Sequence, residues 1–276
     1  MAIGYDLVRR VKAWILFYRD LILSLGFAGF ALYKLQRLRM RFFGIRTPYT
    51  LCSKYARFRL LCRPNTSDME VFWQIFVKRE YRCLDDVKQP KFILDCGANI
   101  GYSAAYFLTR FPEATLTAVE PDPANCAMLE TNLARFTGRY RVVRSAIWSE
   151  ETGLAWEETP YRGGQEWSRM VRRAKPGEVP FIFATTIGCL LSESQEDRIS
   201  ILKIDIERSE LALFSANYKE WLDRIDNLTI ELHDEECASV FHGAIADQGF
   251  TLFHCDELTV CRRSRQGSTR LLANAH

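Results

Sequence analysis

The sequence predicts an α/β fold with a mostly parallel central sheet, helices on both faces and a C-terminal antiparallel hairpin. From residue 92 onward, short apolar runs of strand length alternate with stretches of helical periodicity. Such alternation builds right-handed βαβ units, which give a parallel sheet. The 276 residues, of which 48% are hydrophobic and 26% charged, suit one large core with attached segments and exclude a largely disordered chain.

The individual elements follow from the same alternation. The predicted strands are 92–96, 115–120, 140–148, 199–206 and 227–233. The predicted helices are 103–111, 123–136, 209–222 and 237–249. Residues 153–157 and 180–186 predict a hairpin around the glycine-containing loop 158–179, whose length permits a lid. The final runs FTLFHC and LTVCRR predict the terminal hairpin.

Shifts in composition divide the chain into four segments. They are a basic, apolar N-terminal helical segment 1–48, a lead-in 49–91 with a helix expected to pack on the core, a core α/β domain 92–263 and a polar tail 264–276. Within the lead-in, Ser67 or Asp68 is a fitting N-cap for a helix over 69–80. The nine cysteines are odd in number and contain no Cys-x-x-Cys pair, so we expect a reducing compartment and a cytoplasmic location.

The N-terminal segment 1–48 is both apolar and basic. Its nine basic and two acidic residues give the segment a net charge of +7. Because the whole chain carries +3, the remaining residues sum to −4. The stretch 13–33 has the length of a membrane span, but Arg19 and Asp20 in its middle disfavour one. The segment predicts either a helix on the inner face of an anionic membrane or a helix packed on the main domain, and both alternatives stay open.

The first predicted strand of the core runs into a glycine turn behind an acid. Asp95 precedes Gly97 and Gly101, whereas a dinucleotide fingerprint needs glycines at 97, 99 and 102. This spacing suits a smaller cofactor with an ammonium group that Asp95 matches in charge, and S-adenosylmethionine is such a cofactor. Glu120 ends the second strand 19 residues after Gly101, where an acid can accept hydrogen bonds from both ribose hydroxyls.

Several separated motifs resemble the FkbM-type S-adenosylmethionine-dependent methyltransferases over residues 64–263. They are Thr66-Ser67-Asp68 leading to Glu80-Tyr81, the loop 95–101, Glu120-Pro121-Asp122 with Leu129 and Asn132, Thr185-Thr186 before Leu190-Leu191, Lys203-Ile204-Asp205-Ile206-Glu207 with Glu210, and Glu231-Leu232-His233. Two positions depart from the family pattern: Gly188 replaces an aspartate, and Arg208 replaces the glycine that usually follows Glu207. Arginine at a glycine position implies either a different local turn or a contact with an acidic or phosphorylated acceptor.

The resemblance implies a Rossmann-like class I methyltransferase that O-methylates a hydroxyl of a sugar, glycolipid or polyketide-like acceptor. With the glycine turn, it gives the expected cofactor-binding residues: Asp68, Asp95, Gly97, Asn99, Gly101, Tyr102, Ser103, Glu120, Asp122, Ser145 and Ala146. The last two are placed at adenine by position alone, because they follow the third strand.

The acceptor chemistry is expected at the ends of two neighbouring strands. Methyl transfer from a sulfonium needs an acceptor atom held in line, and a hydroxyl acceptor also needs a base. Asp205 and Glu207 follow one strand, and Glu231 and His233 end the next. We expect His233 or Asp205 to be the base, Glu207 and Glu231 to orient the acceptor or its base, and Lys203 to form a structural ion pair. A divalent metal ion on Asp205, Glu231 and His233 is a minority alternative.

Other classes of protein fit less well. A nicotinamide oxidoreductase would share the sheet and Glu120 but needs another glycine pattern. A nucleic-acid enzyme would need a basic groove, whereas residues 49–276 sum to −4. A non-catalytic homologue that binds the cofactor stays open because of Arg208. The sequence gives neither the acceptor nor the oligomeric state.

Overall fold

The computed structural model describes residues 2–44, 47–157 and 170–263. Its α-helices are α1 (Ala2–Phe43), α2 (Asp68–Phe72), α3 (Tyr102–Arg110), α4 (Pro123–Leu133), α5 (Ile187–Glu193), α6 (Glu210–Ser215), α7 (Lys219–Leu222) and α8 (Glu235–Ile245). Its strands are β1 (Tyr49–Leu51), β2 (Leu60–Cys62), β3 (Phe92–Cys96), β4 (Thr115–Val119), β5 (Tyr140–Val143), β6 (Ala146–Ile147), β7 (Gly153–Trp156), β8 (Val171–Arg173), β9 (Ile182–Thr185), β10 (Ile201–Ile204), β11 (Asn227–Glu231), β12 (Phe250–Cys255) and β13 (Leu258–Arg263).

Seven of these strands form the central sheet, in the order β12-β13-β11-β10-β3-β4-β5. The pairs among β3, β4, β5, β10 and β11 are parallel, and β13 runs antiparallel to both β11 and β12. The predicted α/β fold and its terminal hairpin are therefore confirmed. The chain order reverses between β3 and β10, and the crevice beyond the carboxyl ends of parallel strands at such a point is where ligands bind.

The two faces of the sheet carry separate apolar cores. On one face, Ile93 and Ile201 pack with α1, α3 and α4. On the other face, Leu94 and Leu202 pack with α5, α6, α7 and α8. Adjacent residues of one strand point to opposite faces, so a sheet covered on both sides buries every residue of a central strand, as it does in the largely apolar β3.

A smaller sheet stands beside the main one, in the order β6-β9-β7-β8. β7 pairs antiparallel with β9, which confirms that the two predicted strands pair. The predicted loop between them contains a further strand, β8, which pairs with the other edge of β7 and which periodicity did not predict. The predicted strand 140–148 is divided between β5 in the main sheet and β6 in this one. Residues 158–169 of the expected lid and the tail 264–276 lie outside the described residues.

The lead-in helix predicted over 69–80 is present in three pieces. α2 continues into a π-helix, Trp73–Val77, which ends before Arg79 adopts a left-handed backbone with φ 57°. A 3-10 helix, Glu80–Leu84, then follows. The break at Arg79 turns the chain so that Glu80 and Tyr81 face the end of the sheet rather than continuing along the helix.

α1 packs on the domain through its middle and is bent at Gly26, whose φ of 70° and ψ of 167° are not helical. Residues Trp14–Phe43 are long and apolar enough to cross a membrane by length and composition only, a criterion that buried helices and signal sequences also meet. The packing confirms contact with the main domain, one of the two alternatives for this segment.

Candidate active site

One cavity opens beyond the carboxyl ends of the central strands and collects most of the expected site residues. Its described lining includes the turn after β3, the residues that end β4, Ser145 and Ala146, and the acids after β10 and β11. The lead-in supplies another wall through α2, the π-helix and Glu80-Tyr81. The cavity therefore joins the motif expected to bind a cofactor with the motif expected to bind an acceptor.

The turn between β3 and α3 depends on Gly97. Its φ is 79°, and a Cβ atom at this position would lie 1.8 Å from the carbonyl oxygen of Asp205. Lys203 Nζ donates to the Gly97 carbonyl oxygen at 2.6 Å. The cofactor loop and the end of β10 are thus held in direct backbone contact, which only glycine allows.

Asp95 lies beneath the loop rather than on the cavity surface. Its side chain is fully buried, accepts a hydrogen bond from Ser103 Oγ at 2.6 Å and stands 3.4 Å from Lys203 Nζ. Burial raises the pKa of Asp95, while Lys203 and Ser103 oppose that rise. Both Asp95 and Ser103 were expected to bind the cofactor, and of these two residues Ser103 lines the cavity. Asp95 therefore acts on the cavity through its neighbours, and the direct contact with a ligand that its charge predicted is not what the geometry favours.

Glu120 occupies the cavity at the end of β4. Its Oε2 accepts from the Asn99 amide at 2.9 Å, and its Oε1 accepts from the Asp122 amide at 3.0 Å. Burial raises the pKa of Glu120, while hydrogen bonds from Asp122, Asn125 and Asn99 lower it. Oε1 also accepts from Asn125 Nδ2 at 3.3 Å, whereas Oε2 keeps a free lone pair that can accept from a ribose hydroxyl.

The other expected cofactor residues have distinct places. Asp122 caps α4 through the amides of Ala124 and Asn125, and its lining of the cavity is secondary to that role. Ser145 lies 2.8 Å from the Phe183 carbonyl oxygen and, with Ala146, forms the wall near the small sheet. Tyr102 reaches the Leu61 carbonyl oxygen at 2.7 Å and anchors the lead-in to α3.

Asp68 lies away from the cavity. Its carboxylate is fully buried, with Arg63 Nη2 2.8 Å from Oδ1 and the Arg63 amide 2.8 Å from Oδ2. The neighbouring residues Ser67 and Glu70 line the cavity instead. Asp68 therefore orders the start of α2, a role that its motif alone did not distinguish from ligand contact.

The acceptor end of the cavity is a cluster of carboxylates. The sheet register pairs Ile204 with Ile230, which brings Asp205 and Glu231 side by side. Lys203 Nζ stands 3.4 Å from Asp205 Oδ2. Burial and the charge of Asp205 raise the pKa of Glu231 to about 8. A carboxylate with this pKa can take a proton near neutral pH.

His233 sits behind these acids. Its Nε2 is 3.4 Å from Glu207 and 3.7 Å from Asp205, and its Nδ1 is 3.4 Å from Glu210. Burial lowers the pKa of His233, but the hydrogen bonds to Glu207 and Glu210 raise it to about 11. Its side chain is 1% exposed, against 31% for Asp205. The geometry makes His233 a buried cation that positions the acids, and it favours Glu231 or Asp205 for the base.

Sequence reasoning assigned no role to Glu80 and Tyr81, which both line the cavity. Burial and the charge of Asp205 raise the pKa of Glu80 to about 7. Burial and Glu80 also raise the pKa of Tyr81. The Glu-Tyr pair was visible in the lead-in motif, but only the turn at Arg79 shows that it faces the acids of the core.

Arg208 keeps the backbone that a glycine would have, with φ 69°. Its guanidinium turns to the start of α8, where Nε is 2.5 Å from Asp234 and Nη2 is 3.2 Å from Glu236. The local turn is therefore retained at the cost of a strained arginine. The guanidinium is held by α8, which does not support the expected contact with an acidic acceptor.

Three residues of the acidic cluster have the spacing of a metal site. Ligand atoms of Asp205, Glu231 and His233 all lie within 4.8 Å of one another, and carboxylate and imidazole groups can bind a divalent ion. The two ring nitrogens of His233 also lie 3.4 Å from Glu207 and Glu210. No step of the chemistry is routed through a metal ion.

The sheet order, the glycine turn and the paired acids at the switch point form the arrangement expected of a Rossmann-like class I methyltransferase. Comparison with known proteins carries the assignment further. The sequence model of the methyltransferase FkbM domain matches residues 95–253, more than half of the chain. The chain belongs to the FkbM methyltransferase family, as its motifs predicted.

Two curated relatives are named as methyltransferases. "Methyltransferase 1" of Beauveria bassiana is 25% identical over 185 residues, which cover 59% of this chain and 72% of that protein. "Methyltransferase sdnD" of Sordaria araneosa is 23% identical over 214 residues, which cover 66% of this chain and 82% of that protein.

Solved structures with a similar fold include a putative caffeoyl-CoA O-methyltransferase from Staphylococcus aureus, with 13% identity, coverage of 72% of this chain and 93% of that chain, and a TM-score of 0.41. They also include TrmK of M. capricolum in complex with S-adenosyl-homocysteine, which is 11% identical. That match covers 67% of this chain and 68% of that chain, with a TM-score of 0.40.

Proposed function

We propose that this protein transfers the methyl group of S-adenosylmethionine to a hydroxyl oxygen of a sugar, glycolipid or polyketide-like acceptor in the cytoplasm. One observation carries the proposal. The glycine turn with Glu120, an acid placed to bind ribose, opens on the same cavity as a carboxylate cluster in which the pKa of Glu231 is raised. Methyl transfer needs both, because the donor and the deprotonated acceptor must meet in line.

The cavity offers each part of S-adenosylmethionine a matching group. Glu120 can accept from the ribose hydroxyls, and the wall at Ser145 and Ala146 can take the adenine. The start of α3, which has no side-chain cap, lines the same cavity through Tyr102 and Ser103. Asp95 and Lys203 hold the turn from below. These residues fit the cofactor, whose sulfonium supplies an activated methyl group.

The acids at the ends of β10 and β11 do the acceptor chemistry. Glu231 takes the proton from the attacking hydroxyl, since the charge of Asp205 and burial raise its pKa to about 8. Glu207 and the His233 cation fix the cluster. The walls from the lead-in and the core exclude water from the transferring methyl group.

A test uses S-adenosylmethionine carrying a deuterated methyl group with extracts of the source cells. We expect wild-type protein to place the label on a hydroxyl oxygen, as read by mass spectrometry and fragmentation. Glu231→Gln keeps the size of the side chain but removes the base, so labelling falls by about 10²-fold or more. Glu130→Gln, an exposed change on α4, is the matched control and leaves labelling unchanged.

Two outcomes contradict the proposal. Label on nitrogen or carbon would show a different acceptor chemistry. No label with a folded wild-type protein that binds the cofactor would favour the alternative of a non-catalytic homologue. A nicotinamide oxidoreductase would instead bind NADH and transfer no methyl label.

A further inference from the structure

The N-terminal helix α1 is folded back on itself. Lys34 Nζ donates to Tyr18 Oη at 2.7 Å although 16 residues separate them, whereas a straight helix would place them about 24 Å apart. The reversal occurs at Gly26, whose backbone conformation is accessible to glycine. The apolar part of the first arm, 14–25, is about 18 Å long and the second arm, 27–43, about 25 Å. Neither arm covers the roughly 30 Å hydrocarbon core of a bilayer.

The inner side of this hairpin is attached to the domain. Ser24 Oγ donates to the Phe76 carbonyl oxygen at 2.7 Å, and the Lys54 amide donates to the Ser24 carbonyl oxygen at 2.9 Å. Phe17 stacks on Trp73 with ring centroids 4.2 Å apart. Leu21 is fully buried. Insertion of α1 across a membrane would break these contacts, so its buried face stays on the domain.

The outer side of the hairpin is apolar and unusually exposed. Lys12, Leu16, Arg19 and Leu23 recur at helical spacing along one stripe of the first arm. Leu23 is 58% exposed and Phe27, at the bend, is 83% exposed. Apart from Phe17, which stacks on Trp73, the large exposed apolar residues among the described side chains of α1 are Val11, Trp14, Ile15, Leu16, Leu23, Phe27, Leu35, Leu38, Phe42 and Phe43. A soluble domain rarely leaves so many together without an occupant.

The charges on α1 indicate which partner covers its outer side. Its exposed basic side chains are Arg9, Lys12, Arg19, Lys34, Arg37, Arg39 and Arg41. The acid among the described side chains of α1 is Asp20, which pairs with Arg19 at 2.8 Å. A second copy docked through the same surface would oppose basic groups to basic groups. An anionic lipid surface matches both the charge and the apolar area.

We propose that α1 docks this protein onto anionic lipid, lying in the plane of the membrane interface with its outer side in the lipid and its inner side on the domain. The π-helix that receives α1 through Trp73 and Phe76 also lines the cavity through Gln74 and Ile75. Docking therefore brings one wall of the cavity next to the lipid surface. The proposal of lipid docking does not depend on methyl transfer, so either proposal can be disproved without affecting the other.

The test is flotation of the full-length protein with vesicles. We expect wild-type protein to bind equimolar phosphatidylcholine–phosphatidylglycerol vesicles, and to bind less to pure phosphatidylcholine or in about 1 M salt, where charges are screened beyond roughly 3 Å. Leu23→Glu with Phe27→Glu should lower the partition coefficient roughly tenfold or more, because each change removes an apolar side chain that the lipid would cover and adds a negative charge. Leu35→Glu with Leu38→Glu should do the same from the second arm.

The matched control is Val179→Glu with Phe183→Glu, which changes two residues that are 88% and 71% exposed on another surface by the same charge. It should leave binding unchanged, and thermal melting monitors the fold of all forms. The proposal is overturned if wild-type protein stays unbound, or if the control lowers binding as much as the α1 variants. It is also overturned if light scattering shows a dimer that the α1 variants convert to monomer.

Discussion

Gly97 is the residue whose backbone contact decides whether the cofactor turn can form. A Cβ atom there would lie 1.8 Å from the Asp205 carbonyl oxygen, and the φ of 79° disfavours any side chain. Gly97→Ala should cost about 2–4 kcal/mol of unfolding free energy and abolish cofactor binding, since the turn or β10 must move. Denaturant unfolding and cofactor titration measure both effects.

Gly138 supplies the control for this prediction. Its φ of 76° is similar, but a Cβ atom there meets nothing within 4 Å. Gly138→Ala should therefore cost only about 1 kcal/mol and leave cofactor binding intact. Equal effects of the two substitutions would show that backbone strain, rather than the contact with Asp205, determines the need for Gly97.

Glu231 predicts a pH dependence of the reaction. Burial and Asp205 raise its pKa to about 8, and a base works in its deprotonated form. The kcat/KM for the acceptor should therefore rise with pH and level off above about 8. Asp205→Asn removes the neighbouring charge and should move the profile to lower pH. A wild-type profile that is flat from pH 6 to 9 would contradict this assignment.

The same shift has the opposite effect on stability. The pKa of Glu231 lies above its ordinary value of 4.5, so the folded protein holds this proton more tightly than the unfolded chain. Its contribution to stability is present below pH 4.5 and is lost as pH rises through about 8. Melting curves at each pH therefore separate loss of fold from the rise in rate.

The roles of individual residues were only partly predictable. The motif located His233 next to Asp205, but its protonation depends on how Glu207 and Glu210 pack around the ring, which spacing does not encode. Asp95 and Asp68 were identified as acids of the right motifs, yet burial places both behind the surface. Residue type predicts chemistry, whereas depth decides whether a group touches the ligand.

At the scale of elements, the turn from β10 into α6 carries a strained arginine. Arg208→Gly and Arg208→Ala both remove the pairs to Asp234 and Glu236, but only glycine relieves the φ of 69°. The glycine variant should be more stable than the alanine variant by about 1 kcal/mol. Thermal melting of the two variants gives the comparison.

Cofactor affinity should be the same in both variants and in the wild-type protein, because the Arg208 guanidinium is held by α8. If Arg208→Ala were at least as stable as Arg208→Gly, the left-handed backbone at this position would not be strained by a side chain. A selective loss of cofactor affinity would place Arg208 in the site.

Periodicity predicted the elements of the core but not their interruptions. The helix expected over 209–222 is divided into α6 and α7, because Ala216 is extended and Asn217 has φ 58°. Similarly, Arg79 ends the lead-in helix. Such breaks are set by local packing and left-handed residues that are not glycine, so apolar spacing does not reveal them.

At the scale of the whole molecule, the site exists because the strand order reverses between β3 and β10. That reversal brings the cofactor turn from one half of the sheet against the acids of the other half, as the contact between Gly97 and Asp205 shows. Strand–helix alternation predicted this arrangement. The family motif placed the lead-in near the cofactor through Asp68, but it did not predict that Glu80 and Tyr81 would face the acids, because distance in sequence gives no contact by itself.

The most direct measurement of the central claim is calorimetric titration of the whole protein with S-adenosylmethionine, S-adenosylhomocysteine and NADH. We expect micromolar binding of the first two only, weakened by about 1–3 kcal/mol in Glu120→Ala, which loses a charge-assisted bond to the ribose, and unchanged in the exposed control Glu130→Ala. Binding of NADH, or of none of the three by a folded sample, would contradict the account.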